Sequence, residues 1–128
     1  MILDKFKTKG KKEYTVGDSK FELSLLSSKE SNDLVARFPD KGITLEIVHK
    51  NPDMACCLLS KAIKKIDGLQ ITDACGIKEP ANAVLALEKE LNGLDSAVIS
   101  VLLLCYFRLE SETYESYSRD IDFLKSQA

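Results

Sequence analysis

The chain has 128 residues, of which 45% are hydrophobic and 30% are charged, and its formal net charge is −2. This length and composition are typical of one soluble globular domain, and they exclude a disordered chain. Because the net charge is small and negative, the molecule as a whole has no electrostatic attraction to nucleic acid or to anionic lipid. Neither nucleic acid nor a membrane is therefore expected as a partner.

Lysines dominate the first twelve residues, which show no apolar period. This pattern predicts a flexible basic arm over residues 1–12. Residues 110–128 carry an excess of acids, so the two ends of the chain are electrostatically complementary. The chain starts without the apolar stretch of a secretion signal, so we expect a cytoplasmic location in which the four cysteines stay reduced. The lysines of the predicted arm are Lys5, Lys7, Lys9, Lys11 and Lys12.

Residues 13–128 are predicted to form one domain that opens with a β-hairpin. Alternating apolar residues at 13–16 and 21–25 flank a polar turn, which is the pattern of two paired strands. Ser27, with a glutamate three residues later, has the spacing of a capping box. A helix over about residues 28–38 should follow, and the next residue, a proline, should end it.

The middle of the chain is predicted to hold one main helix. Before it, residues 43–48 favour a strand because they are β-branched and partly alternating, although a helix remains an alternative. Asn51, followed by proline and aspartate, is typical of a helix start. Apolar residues then recur at spacings of three and four as far as Ile66, and Gly68 is placed to end the helix. The segments after it are predicted as an extended piece at 69–72 and a loop at 73–79.

Two further helices are predicted in the last third of the chain. Pro80 opens the first, which should run through Leu91, and Asp95 is placed to cap the second. Residues 97–107 are apolar on every side of that second helix, apart from one serine, so they should be buried all round. At about 1.5 Å per residue they reach only about 16 Å, too short for a bilayer. They are therefore expected to form a central core helix or a subunit interface.

From about residue 110 the pattern changes to an amphipathic helical extension. Its narrow apolar stripe most often indicates packing within the chain, but tyrosines at helical spacing are also typical of helix-in-groove recognition. Taken together, the elements predict an α+β fold, a helix-dominated single domain whose small N-terminal antiparallel sheet packs on three or four helices. The residues of the stripe are Tyr114, Tyr117, Ile121 and Leu124.

Residues that would carry catalysis, a cofactor or a metal are not expected. His49 is the single histidine, so a pair with a cysteine is the one histidine-based nucleophile left open. Cys56 and Cys57 are adjacent, whereas structural zinc sites separate paired cysteines by two to four residues. No glycine-rich segment is followed by the lysine and hydroxyl of a phosphate-binding loop. The sequence therefore holds no catalytic signature.

Three segments, taken in order, resemble the tail assembly chaperones of bacteriophages and the related small proteins that help to build the baseplate hub. These segments are the hairpin that leads into residues 21–27, the helix end at 62–68, and the late helix from 94–99 into 106–109. The resemblance implies a non-enzymatic holdase that coats the tape measure protein, self-associates in the host cytoplasm and is absent from the finished virion. It also makes the tail tube protein a further candidate partner.

The partner-binding residues expected from the pattern are of two kinds. Tyr114, Tyr117, Ile121 and Leu124 are the hypothesis for contact with a partner helix. Lys5, Lys7, Lys9, Lys11 and Lys12 are the hypothesis for a basic arm that steers association. Two alternative functions stay open from the sequence, namely a baseplate hub assembly factor and a small regulatory or adaptor domain that binds a partner protein.

Overall fold

Four antiparallel strands and six α-helices make up the part of the chain that the computed structural model describes, residues 1–6 and 10–118. The predicted helix-dominated α+β class is confirmed, with more helices than the three or four expected. A 3₁₀ helix at Ile2–Phe6 precedes the first strand. The strands are β1 Lys11–Val16, β2 Ser19–Ser24, β3 Ile63–Ile66 and β4 Leu69–Gln70. The helices are α1 Ser28–Arg37, α2 Leu45–His49, α3 Pro52–Ala62, α4 Ile71–Cys75, α5 Pro80–Asn92 and α6 Ser96–Tyr117.

The predicted N-terminal hairpin is confirmed, and it forms one side of the sheet. Val16 lies opposite Ser19, so the loop has two residues, and its first, Gly17, has a φ of 61° that favours glycine. β1 begins at Lys11, two residues earlier than the sequence predicts. Lys11 and Lys12 therefore belong to the sheet and not to a flexible arm.

The second half of the sheet corrects the prediction for the middle of the chain. α3 ends at Ala62, and the residues expected to continue it form β3 beside β2. Asp67 and Gly68 have φ values of 51° and 80°, which is the backbone of a type I′ hairpin loop and not of a helix cap. The Asp67 carboxylate also accepts the Lys20 N–H at 2.8 Å, which fixes the loop to the first hairpin.

Side-chain caps explain where α1 and α2 begin. The Ser27 hydroxyl accepts the Glu30 N–H at 3.1 Å, and the Glu30 carboxylate accepts the Ser27 N–H at 3.0 Å, so the predicted capping box is confirmed. The Thr44 hydroxyl accepts the Ile47 N–H at 3.3 Å and starts α2. The strand favoured over 43–48 is therefore wrong, and its helical alternative holds over Leu45–His49.

Two residues that were predicted to cap helices make no cap hydrogen bond, and part of one predicted loop is helical. Asn51 is at the N-cap of α3, but its side-chain amide donates to the Ile47 carbonyl at 2.7 Å and makes no cap hydrogen bond. Asp95 likewise precedes α6 without a side-chain cap. The short helix α4 replaces part of the predicted loop, and Gly76, with a φ of 67°, ends it.

α3 is the centre of the hydrophobic core. Its Met54, Leu58 and Leu59 are fully buried, and the helix packs against α1, α2, α5 and α6 as well as against β3. Across the outside of this core, the Arg37 guanidinium donates two hydrogen bonds to the Glu88 carboxylate, at 2.8 and 2.7 Å. This two-point ion pair fixes α1 against α5.

α6 is buried on one face only, which corrects the prediction of burial all round. The buried residues are Leu102, Leu103, Tyr106 and Leu109. On the opposite face Ala97 is exposed, and Val101 and Leu104 retain 43% and 55% of their accessible surface. The helix continues to Tyr117, so the predicted extension beyond residue 110 is part of α6. Among residues 1–6 and 10–118, no helix combines the length and apolar character needed to cross a bilayer.

Candidate protein-binding surfaces

The single histidine joins α2 to α6. His49 is the last residue of α2, and its Nε2 lies 3.2 Å from the Ser100 Oγ. A serine beside a histidine is also the start of a nucleophile pair, but Ser100 lies inside the second turn of α6. Its backbone N–H is used within the helix and is not free to stabilise an oxyanion. The pair is therefore better suited to fixing the two helices than to acyl transfer.

Two hollows lie on either side of the His49–Ser100 pair. The first, of about 490 Å³, lies between α2 and α6 and has Leu45 and Leu104 as its apolar walls, with Glu46 and Lys50 at its rim. We call it the α2–α6 groove. The second, of about 350 Å³, extends towards α3 and α5 and is lined by Cys56, Leu91, Leu94, Ile99 and Leu103 among others.

Cys56 lines the same hollow as His49, which bears on the cysteine–histidine pair left open by the sequence. Burial raises the pKa of the Cys56 thiol, and the charge of Glu88 raises it further. A reactive cysteine needs a lowered pKa, because the thiolate is the nucleophile. At neutral pH Cys56 is therefore a protonated, buried thiol that fills space in the core.

The two tyrosines that the sequence singles out stand at the far end of α6. Tyr114 and Tyr117 retain 54% and 42% of their accessible surface. Tyr117 also lines a hollow of about 450 Å³ beside Leu25, Leu26 and Glu30, between the hairpin and the start of α1. We call these two residues the tyrosine end. The other two predicted contacts, Ile121 and Leu124, lie outside the described residues.

Two of the five predicted steering lysines form ion pairs within the chain. The Lys11 Nζ lies 3.5 Å from the Glu22 carboxylate, across β1 and β2. The Lys12 Nζ lies 3.8 Å from the Glu112 carboxylate, which also accepts the Arg108 Nε at 3.1 Å. The pair of Lys12 with Glu112 joins β1 to α6, so part of the opposite charge of the two chain ends is already paired within the chain. Lys7, Lys9 and the side chain of Lys5 lie outside what the structure describes.

Sequence reasoning missed the α2–α6 groove. Its wall residue Leu104 lies in the helix predicted to be buried on every side, so nothing in the pattern separated it from core residues. The signal that could have found it is Arg108, a charged residue four positions after Leu104 and therefore on the same helix face. A charge at that position marks the face as open to solvent.

Comparison of the chain with protein-family models, with curated proteins and with solved structures found no match. In the part of the chain that the structure describes, no group of three or more His, Cys, Asp or Glu side chains is arranged to hold a metal ion. The surfaces above are therefore interpreted from their own geometry.

Proposed function

We propose that the protein is a non-enzymatic bacteriophage tail assembly chaperone that binds the tape measure protein and self-associates in the host cytoplasm. One observation carries the proposal. α6 exposes large apolar side chains on two separate surfaces, Val101 and Leu104 in its middle and the tyrosine end at its C-terminus. Contiguous exposed apolar surface on a small domain is typical of a protein-binding site. The tape measure protein is proposed as the client because the sequence resembles the tail assembly chaperones.

The tyrosine end supports the binding of a helical client. Tyr117 borders a hollow with Leu25 and Leu26 on its walls among polar residues, so a side chain of a client has apolar contacts beside an aromatic anchor. Tyrosine offers a large contact area with few rotatable bonds, and its hydroxyl can also form hydrogen bonds. A surface of this kind accepts many apolar sequences, which suits a chaperone that coats a long helical protein.

Replacing both tyrosines tests the proposal. We expect Tyr114→Ala with Tyr117→Ala to reduce capture of a tape measure fragment at least about tenfold, because two aromatic anchors carry more than about 1.4 kcal/mol of binding. The measurement is co-purification of the tagged chain with the tape measure protein encoded in the same genome. Circular dichroism with thermal unfolding checks that the variant is folded.

A matched control uses the same turn of the helix. Glu115→Ala with Ser116→Ala changes two exposed polar residues there and should leave capture unchanged. Equal capture by the tyrosine variant and the control would refute the assignment of this surface. Capture of a baseplate hub protein in place of the tape measure protein would favour the alternative of a hub assembly factor. Gene order gives an independent check, since a chaperone gene should lie between the tail tube and tape measure genes.

A further inference from the structure

We infer that residues 39–50, which contain α2, form a lid that opens away from α3 and α6 while the rest of the domain stays folded. We call these residues the α2 lid. Opening joins the two hollows beside the His49–Ser100 pair into one cleft and brings Cys56 into contact with solvent. This device is independent of the proposed function, and its test needs no client.

Few polar contacts tie the α2 lid to the rest of the domain. The backbone hydrogen bonds of the lid stay between residues 44 and 51. The hydrogen bond to the Thr44 hydroxyl and the Lys50–Glu46 ion pair are internal as well. In the part of the chain that the structure describes, the contact of His49 with Ser100 is the one hydrogen bond of the lid to a residue outside 39–51.

The apolar contacts of the lid are also few. All of the lid lies in the described part of the chain, and there Val48 is its one fully buried residue. Hollows of about 490 and 350 Å³ lie on either side of the histidine–serine pair, so the lid contacts α6 along a narrow strip between them. A segment that is packed this loosely opens at a lower free energy than a close-packed core does. The half-buried apolar residues beside Val48 are Ile43, Leu45 and Ile47.

The backbone at both ends of the lid allows it to move as a unit. Asp40 has a φ of 64°, in the left-handed region that residues other than glycine rarely adopt, so a rotation there relieves strain. At the other end, the Asn51 side chain donates to the Ile47 carbonyl of the lid and makes no cap hydrogen bond to α3. A few residues at the ends of an element are sufficient as a hinge.

The closed lid covers apolar surface of three helices. His49 forms the lid side of the smaller hollow, and Leu45 forms the lid side of the α2–α6 groove. When the lid moves away, the two hollows join along α6, and the chain exposes more apolar surface than it does when closed. The residues of α5 and α6 on the opposite wall of the smaller hollow include Leu91, Ile99 and Leu103.

Two adjacent cysteines report on the position of the lid. Cys56 and Cys57 are 3% and 2% exposed, and burial raises the pKa of both thiols. Cys56 lies on the wall of the hollow beside His49, whereas the Cys57 Sγ accepts a hydrogen bond from the Arg37 guanidinium at 3.4 Å, on the side of α1. Opening of the lid therefore exposes Cys56 and leaves Cys57 covered.

Thiol labelling of the folded wild-type chain tests the lid. The reagent is fluorescein maleimide, which is too bulky for a hollow of about 350 Å³, and tandem mass spectrometry gives the initial rate at each cysteine. We expect Cys56 to react at least about tenfold faster than Cys57, because local opening needs less free energy than unfolding of the domain. Equal initial rates at the two cysteines would overturn the inference.

Removing the buried contact of the lid should favour the open state. Val48→Ala is expected to raise the labelling rate of Cys56 about tenfold, because the closed lid loses the apolar burial of that side chain. Val35→Ala is the matched control, since Val35 lies on α1 outside the lid and is 43% exposed, and the rate at Cys56 should not change. An unchanged rate at Cys56 in Val48→Ala contradicts the lid.

A substitution far from the lid separates local opening from global unfolding. Ile63 is buried on β3, so Ile63→Val destabilises the domain equally with the lid open and closed. The labelling rate of Cys56 should therefore stay at the wild-type value in this variant. A rate at Cys56 that rises with the loss of global stability, measured by urea unfolding, shows that this thiol reacts only through global unfolding and refutes the lid. Circular dichroism checks that each variant is folded.

Discussion

Leu102→Ala is expected to lower the free energy of unfolding by about 2–5 kcal/mol. Leu102 is fully buried on the inward face of α6. Removing its side chain forfeits apolar burial and leaves a cavity that the neighbouring helices cannot fully close, because α3 packs against the same face. Urea unfolding followed by circular dichroism, with the m-value compared between variant and wild type, measures the loss.

A leucine exposed on another helix provides the comparison. Leu85→Ala on α5 removes the same atoms from a residue that is 61% exposed, so its cost should stay within about 0.5 kcal/mol. Both variants are measured at the same low protein concentration. A cost for Leu102→Ala no larger than that of Leu85→Ala would contradict the docking of α6 against α3.

Local hydrogen-bonding chemistry made part of this fold predictable. The capping box at Ser27 and the proline at the start of α5 each determine a helix start through residues close in the sequence. Both helices, α1 and α5, begin where the sequence predicts. Such signals depend on nearest neighbours along the chain and not on the tertiary fold. The first hairpin is predictable for the same reason, since a polar turn that contains glycine between two alternating apolar segments favours their pairing, although the loop is two residues long and not four.

The segment after α3 could not be predicted in this way. Ile63 and Ile66 are three residues apart, which fits one face of a helix, and both are also good strand residues. The deciding contact is distant in sequence, because Ile66 pairs with Phe21 on β2. The Asp67–Gly68 loop was the available local signal for a hairpin, but a glycine after an apolar period also predicts a helix end.

The two candidate surfaces also differ in whether the sequence predicts them. The tyrosine end was predicted because its polar surroundings separate Tyr114 and Tyr117 from the core pattern. The exposed face of α6 was not, because Val101 and Leu104 are apolar residues within an apolar run, and which side of the helix is buried is decided by where α3 and α2 pack. The pairing of Lys12 with Glu112 depends on β1 lying against α6, which no local pattern indicates.

The second large effect is expected at alkaline pH and depends on Tyr106. This side chain is almost fully buried, and its hydroxyl accepts the Leu26 N–H at 3.2 Å, which ties α6 to the segment between β2 and α1. Burial raises the pKa of Tyr106 to about 12 from an ordinary value of 10, although the hydrogen bond from Leu26 opposes the change. Tyr106→Phe should cost about 1 kcal/mol at neutral pH, because the Leu26 N–H loses its acceptor.

The sign of the pH effect follows from which state holds the proton. Above pH 10 the unfolded chain releases the Tyr106 proton while the folded chain keeps it, so the free energy of unfolding falls with rising pH until the folded pKa near 12 is reached. A difference of two pKa units corresponds to a loss of about 2–3 kcal/mol in the free energy of unfolding between pH 10 and the folded pKa. Below pH 10 this loss does not occur.

Urea unfolding at pH 8 and pH 11 of the wild type and Tyr106→Phe isolates this contribution, because the other titrating groups are common to both chains. The wild type should lose more stability than the variant between the two pH values. Burial also raises the pKa of Tyr14, so the ultraviolet absorbance of tyrosinate is compared between the two folded chains, and the wild type should show one more late-titrating tyrosine than Tyr106→Phe. If both chains lose the same stability, the Tyr106 hydroxyl is not held in a buried site, and α6 does not pack on the core through this residue.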